Sequence, residues 1–243
     1  MVKVAGINKI GVILCLFVIS FSSFGQITSG RIVFERKTNL EKKFTDERMK
    51  QWLRGNTSKT DNFELIFNDT ISIFKPILSD EVDRLDWTTS KSTVRQDFTT
   101  DNKLTVLDIS GQQLYVSDSN TVRAWKITES KRTIGKYRCR KAVYEKNDST
   151  RLYAWYAIEV IPSVGPEGFN GLPGAILGLA TEDGGIIYFA KEVEFRETKP
   201  EDFEIDLKKK EVYSPEQLRA KLEKDFANSP WGKRLFDDLF RWL

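Results

Sequence analysis

The chain has 243 residues, 40% of them hydrophobic and 12% aromatic, enough for one domain with a sizeable core. Lys and Arg total 38 against 35 Asp and Glu, a near-balance that calls for neither a nucleic-acid surface nor an acidic tail. Histidine is absent; this excludes Ser-His-Asp and Cys-His hydrolysis and His-based zinc sites, leaving carboxylates, Tyr, Lys and Cys for any chemistry.

Residues 1–25 read as an export signal. Lys3 and Lys9 precede an uncharged apolar run from Ile10 to Ile19, and Ser20, Ser22, Ser23 and Gly25 follow near a plausible cleavage point. The run is short for a bilayer span, and no second candidate follows, so the mature chain is expected to carry no transmembrane segment and to be periplasmic or secreted. Val12, Ile13 and Leu14 precede Cys15, where a lipoprotein signal wants small residues. Residues 26–243 are then a single domain whose only cysteine is Cys139, with no internal disulfide.

Ser29 to Arg36 alternates Ile32 and Phe34 with Arg31, Val33 and Glu35, a half-buried strand. Thr45 to Arg54 carries acidic residues first, Met49, Trp52 and Leu53 on one side, and Gly55 beyond its end, an amphipathic helix capped by Thr45 or a neighbour. Phe63, Leu65 and Phe67, the turn Asn68-Asp69, then Ile71 and Ile73 predict a hairpin. The polar segment from Pro76 to Asn102 is long for a structureless loop and reads either as a concealed short helix or as a mobile flap. Leu104–Ile109 and Gln113–Ser117 form a second hairpin across Ser110-Gly111. Trp125 and Ile127 begin another strand, Ile134–Tyr144 and Leu152–Ile161 pair around Asn147-Asp148-Ser149, and Ala175–Thr181 pairs with Ile186–Phe195 around Glu182-Asp183-Gly184-Gly185. The run Ile186 to Ala190 lacks alternation and reads as a central strand. In the tail, Ser214-Pro215-Glu216-Gln217 is a capping box ahead of Leu218, Leu222 and Phe226. Ser229-Pro230 then starts a second helix with Trp231, Leu235, Leu239 and Trp242 on one face.

The expected fold is α+β and mainly antiparallel β: a curved sheet or partial barrel of about ten strands, with an early helix and two C-terminal helices. Within it, Gly171-Leu172-Pro173-Gly174 is a rigid corner opening into the apolar Ala175-Ile176-Leu177. Pro173 fixes its own φ, and the flanking glycines supply conformations closed to other residues.

Gly135-Lys136-Tyr137-Arg138-Cys139-Arg140, Ala154-Trp155-Tyr156, Pro162, Gly165-Pro166 and Gly171-Leu172-Pro173-Gly174-Ala175-Ile176 occur in that order. In this the chain resembles the GLPGLI family of exported bacterial proteins, with Ala175 where the family's hexapeptide has Leu. The resemblance implies an envelope or secreted protein of Gram-negative bacteria, in a family often encoded near outer-membrane receptor systems. It implies no established activity and no catalytic residues to carry over.

Tyr153, Trp155, Tyr156, Phe169 and Leu172 are the candidate lining of an apolar or amphiphilic ligand site; the alternative is that they are core. Lys131, Arg132, Lys136, Arg138, Arg140 and Lys141 form a basic cluster that either meets anionic groups or is a solvated face. Cys139 is a reactive thiol or, alternating with Tyr137 and Val143, a buried inert one. The acidic pairs Asp80/Glu81, Glu182/Asp183 and Glu201/Asp202 lack the spacing of a calcium loop, and Asp237/Asp238 falls on the polar side of the last helix as surface charge. No metal, cofactor or catalytic motif is expected. The chain reads as a non-enzymatic binding or carrier protein for an apolar or amphiphilic ligand, or as an interaction module that meets an outer-membrane protein partner in an uptake complex.

Overall fold

In this computed structural model the described residues are 28–79, 81, 83–109, 111–121, 123–147, 150–226, 229 and 232–242. The expected signal segment, with Cys15, lies outside them, as do Pro230 and Trp231. The period-two segments pair into one sheet of twelve strands: β1 (Gly30–Asn39), β2 (Ser58–Phe67), β3 (Ile71–Pro76), β4 (Ser92–Asp97), β5 (Asn102–Ile109), β6 (Gln112–Ser119), β7 (Lys126–Ile134), β8 (Tyr137–Asn147), β9 (Thr150–Ala157), β10 (Ala175–Thr181), β11 (Ile186–Phe195) and β12 (Val212–Tyr213). The order is β12-β6-β5-β4-β3-β2-β1-β11-β10-β9-β8-β7. Every pairing is antiparallel except the short parallel contact of β12 with β6.

The sheet therefore has twelve strands where the pattern of the sequence suggests about ten. The two additions are β4, inside the polar segment 76–102, and β12, a two-residue strand. β4 has one aliphatic residue, Val94, because Ser92 and Gln96 on the same face meet polar partners. It carries no alternation of hydrophobicity to read.

The early helix is also two pieces. One turn, α1 (Leu40–Lys43), is capped by Asn39, and α2 (Glu47–Leu53) by Asp46, whose carboxylate accepts from the N–H groups of Arg48 at 2.9 Å and Met49 at 3.2 Å. Trp52 is 70% exposed, so the apolar side of α2 is narrower than its sequence suggests; Leu53 is the residue it buries, against Leu40, Phe44 and Leu85. The tail forms two helices as expected: α3 (Pro215–Phe226) opens on a reciprocal capping box between Ser214 and Gln217, and α4 (Gly232–Leu239) follows but ends before Trp242, which packs against the main core. Among the described residues no helix is long and apolar enough to cross a membrane.

One face of the sheet holds the core. Ile32 and Phe34 on β1, Phe63, Leu65 and Phe67 on β2, Phe74 on β3 and Tyr188 on β11 are aligned by register and buried together. Phe63 stacks on Phe74 at 4.8 Å between centroids, and Tyr188 meets both rings edge-on at 6.1 Å. The connection from β9 to β10, residues 158–174, folds over this inner face. Leu218 and Leu222 of α3 and Leu239 of α4 cover its far end at Leu107, Leu114 and Val116.

The sheet is bent around that face. Ser92 on β4 and Tyr188 on β11 are four strand steps apart, about 19 Å in a flat sheet. Both hydroxyls nonetheless donate to the carboxylate of Glu167.

A buried polar site under the C-terminal cover

The alternation that buries Ile32 and Phe34 continues inward to Arg36, and that of Leu65 and Phe63 continues to Asp61. Register places Arg36 directly between Asp61 on β2 and Tyr188 on β11. The inner face thus changes from apolar to charged along the same strands.

Arg36 Nη2 donates to Asp61 Oδ2 at 2.7 Å, and Thr89 Oγ1 donates to the same oxygen at 2.9 Å. Glu167 enters from the β9–β10 connection. Tyr188 Oη donates to its Oε1 at 2.5 Å, Ser92 Oγ to its Oε2 at 3.0 Å, and Arg36 Nη1 stands 3.9 Å from Oε1. The Arg36 guanidinium lies 4.7 Å over the Phe63 ring. Glu167 adopts φ +54°, a left-handed conformation that costs an L side chain energy and is held here by these bonds and by Gly168 beside it at φ +72°. A Cβ on Gly168 would lie 3.0 Å from Val94, so glycine also allows the turn to sit on β4.

The two carboxylates are driven in opposite directions. Burial pushes Glu167 above the usual carboxylate range, against the pull of Arg36, Tyr188 and Ser92. For Asp61 burial also acts upward, but Arg36, then Thr89 and Lys59, more than offset it and the group titrates low. Tyr188 is held far above its ordinary value by burial and by Glu167, so it remains a donor. Burial opposes the charge on Arg36 too, yet Tyr188, Asp61 and Glu167 raise it on balance.

A carboxyl whose pKa is raised by folding contributes stability that is fully present below its unfolded value and is lost as pH rises through the folded value. Glu167→Gln keeps an acceptor for one of the two hydroxyls, can donate to the oxygen of the other, and removes that loss. The variant is expected to match the wild type in urea unfolding at about pH 4 and to exceed it at about pH 8; a wild-type advantage at the higher pH would show that the ionised carboxylate is the favoured form.

Beside this network lies a cavity of about 30 Å³, lined by Arg36, Lys91, Lys103, Val94, Leu107 and Glu167 and closed by Asp238, Leu239 and Trp242 of the C-terminal segment. As it stands it holds water-sized molecules only. The closing segment is tied down at its ends: Lys43 Nζ is 2.6 Å from Asp238, Lys146 Nζ donates to the Arg241 carbonyl at 3.0 Å, and the Trp242 ring meets Phe169 at 5.4 Å.

The five residues proposed to line a ligand site are divided by the sheet. Tyr156, Phe169 and Leu172 are buried in the core. Tyr153 and Trp155 alternate with Leu152, Ala154 and Tyr156 and stand on the outer side, where Lys141 lies 3.8 Å over Tyr153 and Arg132 lies 5.6 Å over Trp155. Most of the basic cluster is exposed on the β7–β8 hairpin. Cys139 is fully buried, and burial first, then the charge of Glu159, pushes its thiol up to about 11.

Gly171 to Gly174 forms the return of the β9–β10 connection. Ser163 Oγ accepts from the N–H groups of Gly171 at 2.7 Å and Leu172 at 2.9 Å, Trp125 Nε1 donates to the Asn170 carbonyl at 2.8 Å, and Ala175 N–H donates to Val160 at 2.8 Å. The corner therefore holds the same connection that delivers Glu167.

Neither a protein-family model nor a curated protein sequence matches the chain. Its fold has solved counterparts. The structure of PNGF-II in space group C2 is similar with a TM-score of 0.52 at 13% identity, covering 79% of this chain and 32% of that one. The structure of PNGF-II in space group P21 gives a TM-score of 0.54 at 11% identity over the same shares. The likeness is one of fold, and the chain spans about a third of the PNGF-II chains it matches.

Arg36, Asp61, Glu167 and Tyr188 are absent from the residues singled out in the sequence. For Arg36 and Asp61 the signal was available: each occupies the inward parity of a strand whose other inward residues are large and apolar.

Proposed function

We propose that the chain is an exported, non-enzymatic binding protein of the GLPGLI type, a partial barrel that takes an amphiphilic ligand against its inner face beneath the C-terminal helices. The supporting observation is the composition of the cavity wall. Its wall combines Val94, Leu107, Leu239 and Trp242 with Arg36, Lys91 and Lys103 and with the carboxylates of Glu167 and Asp238, and part of that wall belongs to the C-terminal cover. A ligand with one apolar and one polar end suits such a wall, and lifting Leu239 and Trp242 would make room for it. Native mass spectrometry of the protein purified from its own envelope is expected to show an adduct that organic extraction removes. A homogeneous mass equal to that of the polypeptide overturns the reading.

A second reading, an interaction module of an outer-membrane uptake complex, is favoured by one observation: in both PNGF-II structures the matching region is about a third of a larger chain. Pull-downs from envelope extract with the full chain and with a chain lacking residues 229–243 separate the two. A partner retained by both forms supports the module.

A further inference from the structure

Three cations line the inner cavity, and they are not equivalent. Arg36 is neutralised by Asp61, 2.7 Å away. Lys91 lies 3.0 Å from Asp86 and 3.5 Å from Asp61. Lys103 is different: its side chain is 3% exposed, its ammonium has no hydrogen-bond partner among the described residues, and its nearest carboxylate, Asp118, is 3.9 Å away. A buried ammonium without acceptors is costly, and an anion brought to it would relieve that cost.

The neighbourhood strengthens the asymmetry. Arg123 is also buried; it lies 4.1 Å over the Phe169 ring and reaches only the carbonyls of Gly168 at 3.4 Å and Thr121 at 3.5 Å. Lys146 donates to a carbonyl, that of Arg241. Among the described residues neither has a carboxylate at ion-pairing distance, and Lys103 has only Asp118, at 3.9 Å. Burial, then Arg123 and Lys146, hold Lys103 below the usual lysine range, and burial lowers Arg123 to about 10. Both shifts are those of cations lacking counter-charge.

We infer that Lys103, with Arg123 and Lys146 behind it, is the subsite for an anionic oxygen group, a carboxylate or a phosphate, carried by the ligand. This rests on the binding function proposed above and specifies its polar end. The cavity volume of about 30 Å³ is too small for such a group with a tail attached, so uptake requires Leu239 and Trp242 to move outward. The ligand chain would then lie along Val94 and Leu107 with its headgroup on Lys103. Phe169, under Arg123 and against Trp242, links the anion subsite to the cover.

The test uses the full mature chain, titrated by calorimetry with decanoate, decyl phosphate, decanol and inorganic phosphate, in the wild type and in Lys103→Met and Lys103→Arg. Removal of one charge-assisted contact is expected to weaken decanoate and decyl phosphate about tenfold or more in Lys103→Met, to leave decanol unchanged, and to be rescued in part by Lys103→Arg. Lys103→Met also removes a buried unpaired charge, so its thermal unfolding midpoint should equal or exceed that of the wild type and folding does not confound the result. Equal affinities for decanol and decanoate, or unchanged decanoate affinity in Lys103→Met, overturn the anion subsite while leaving the carrier reading in place. Binding of inorganic phosphate that Lys103→Met abolishes, with no binding of any decyl compound, keeps the subsite and overturns the carrier. No binding of any probe overturns both.

Discussion

Gly174→Val is expected to lower the free energy of unfolding by about 4 kcal/mol or more, close to the whole stability of many domains. Gly174 has φ +143°, and a Cβ there would lie 2.1 Å from the carbonyl oxygen of Ala157 and 2.8 Å from its carbon. Those are backbone atoms at the end of β9, so no side-chain rotation relieves the overlap. Moving the corner would break the bonds from Ala175 to Val160 and from Ile176 to Val164 that start β10. It would also carry Glu167 away from Arg36. Gly184→Ala is the control: that glycine also has positive φ, at +67°, but open space around its Cβ position, so only conformational strain of about 1 kcal/mol is expected. Pro173→Ala removes a restriction on the unfolded chain and should cost about 0.5–1 kcal/mol. Urea unfolding followed by circular dichroism ranks the three. If Gly174→Val keeps wild-type stability while ligand uptake is lost, the corner is itself a site.

The hairpins were legible in the sequence because each pairs an apolar alternation with a turn of small polar residues. Asn68 is typical, its carboxamide oxygen accepting from the N–H groups of Thr70 and Ile71 as the chain reverses between β2 and β3. The capping box at Ser214 was legible for the same reason: its bonds are made within four residues. β4 was not, since its inward residues meet polar groups brought from distant parts of the chain, Glu167 to Ser92 and Asn120 to Gln96. Hydrophobic periodicity cannot mark a strand whose buried face is hydrophilic. The same physics concealed the site. Glu167 lies in a connection whose glycines and prolines signal a turn, and nothing local shows that the turn folds inward onto a tyrosine of β11. The aromatic residues of β9 stand together in the sequence, yet a period of two sends Tyr153 and Trp155 to one side and Tyr156 to the other, so proximity in sequence does not make one pocket.

Arg36→Met should show whether the buried network is a structural cost the fold can shed or a constraint it depends on. The substitution removes the main partner of Asp61 and one neighbour of Glu167, both with side chains 2% exposed. Glu167 retains the hydroxyls of Tyr188 and Ser92, and burial already raises its pKa above the usual carboxylate range. Asp61 retains Thr89, with Lys59 at 3.4 Å and Lys91 at 3.5 Å, but loses its shortest ionic contact. The damage therefore falls mainly on Asp61, and breaking one side of such a pair is expected to cost about 3–5 kcal/mol near pH 7. In the wild type the depressed Asp61 contributes stability above its unfolded pKa that is lost as pH falls through the folded one. Without Arg36 the largest influence lowering it is gone and its folded pKa rises, so less of that stability is left at neutral pH while little changes where the group is protonated in both states. Arg36→Met should accordingly be less impaired at about pH 4 than at about pH 7, and the double variant Arg36→Met/Asp61→Leu should recover most of the loss at both, because an apolar pair replaces a buried ionic one. If the double variant is as unstable as the single one, Arg36 is required for packing across the bend of the sheet, and the charge on Asp61 is secondary.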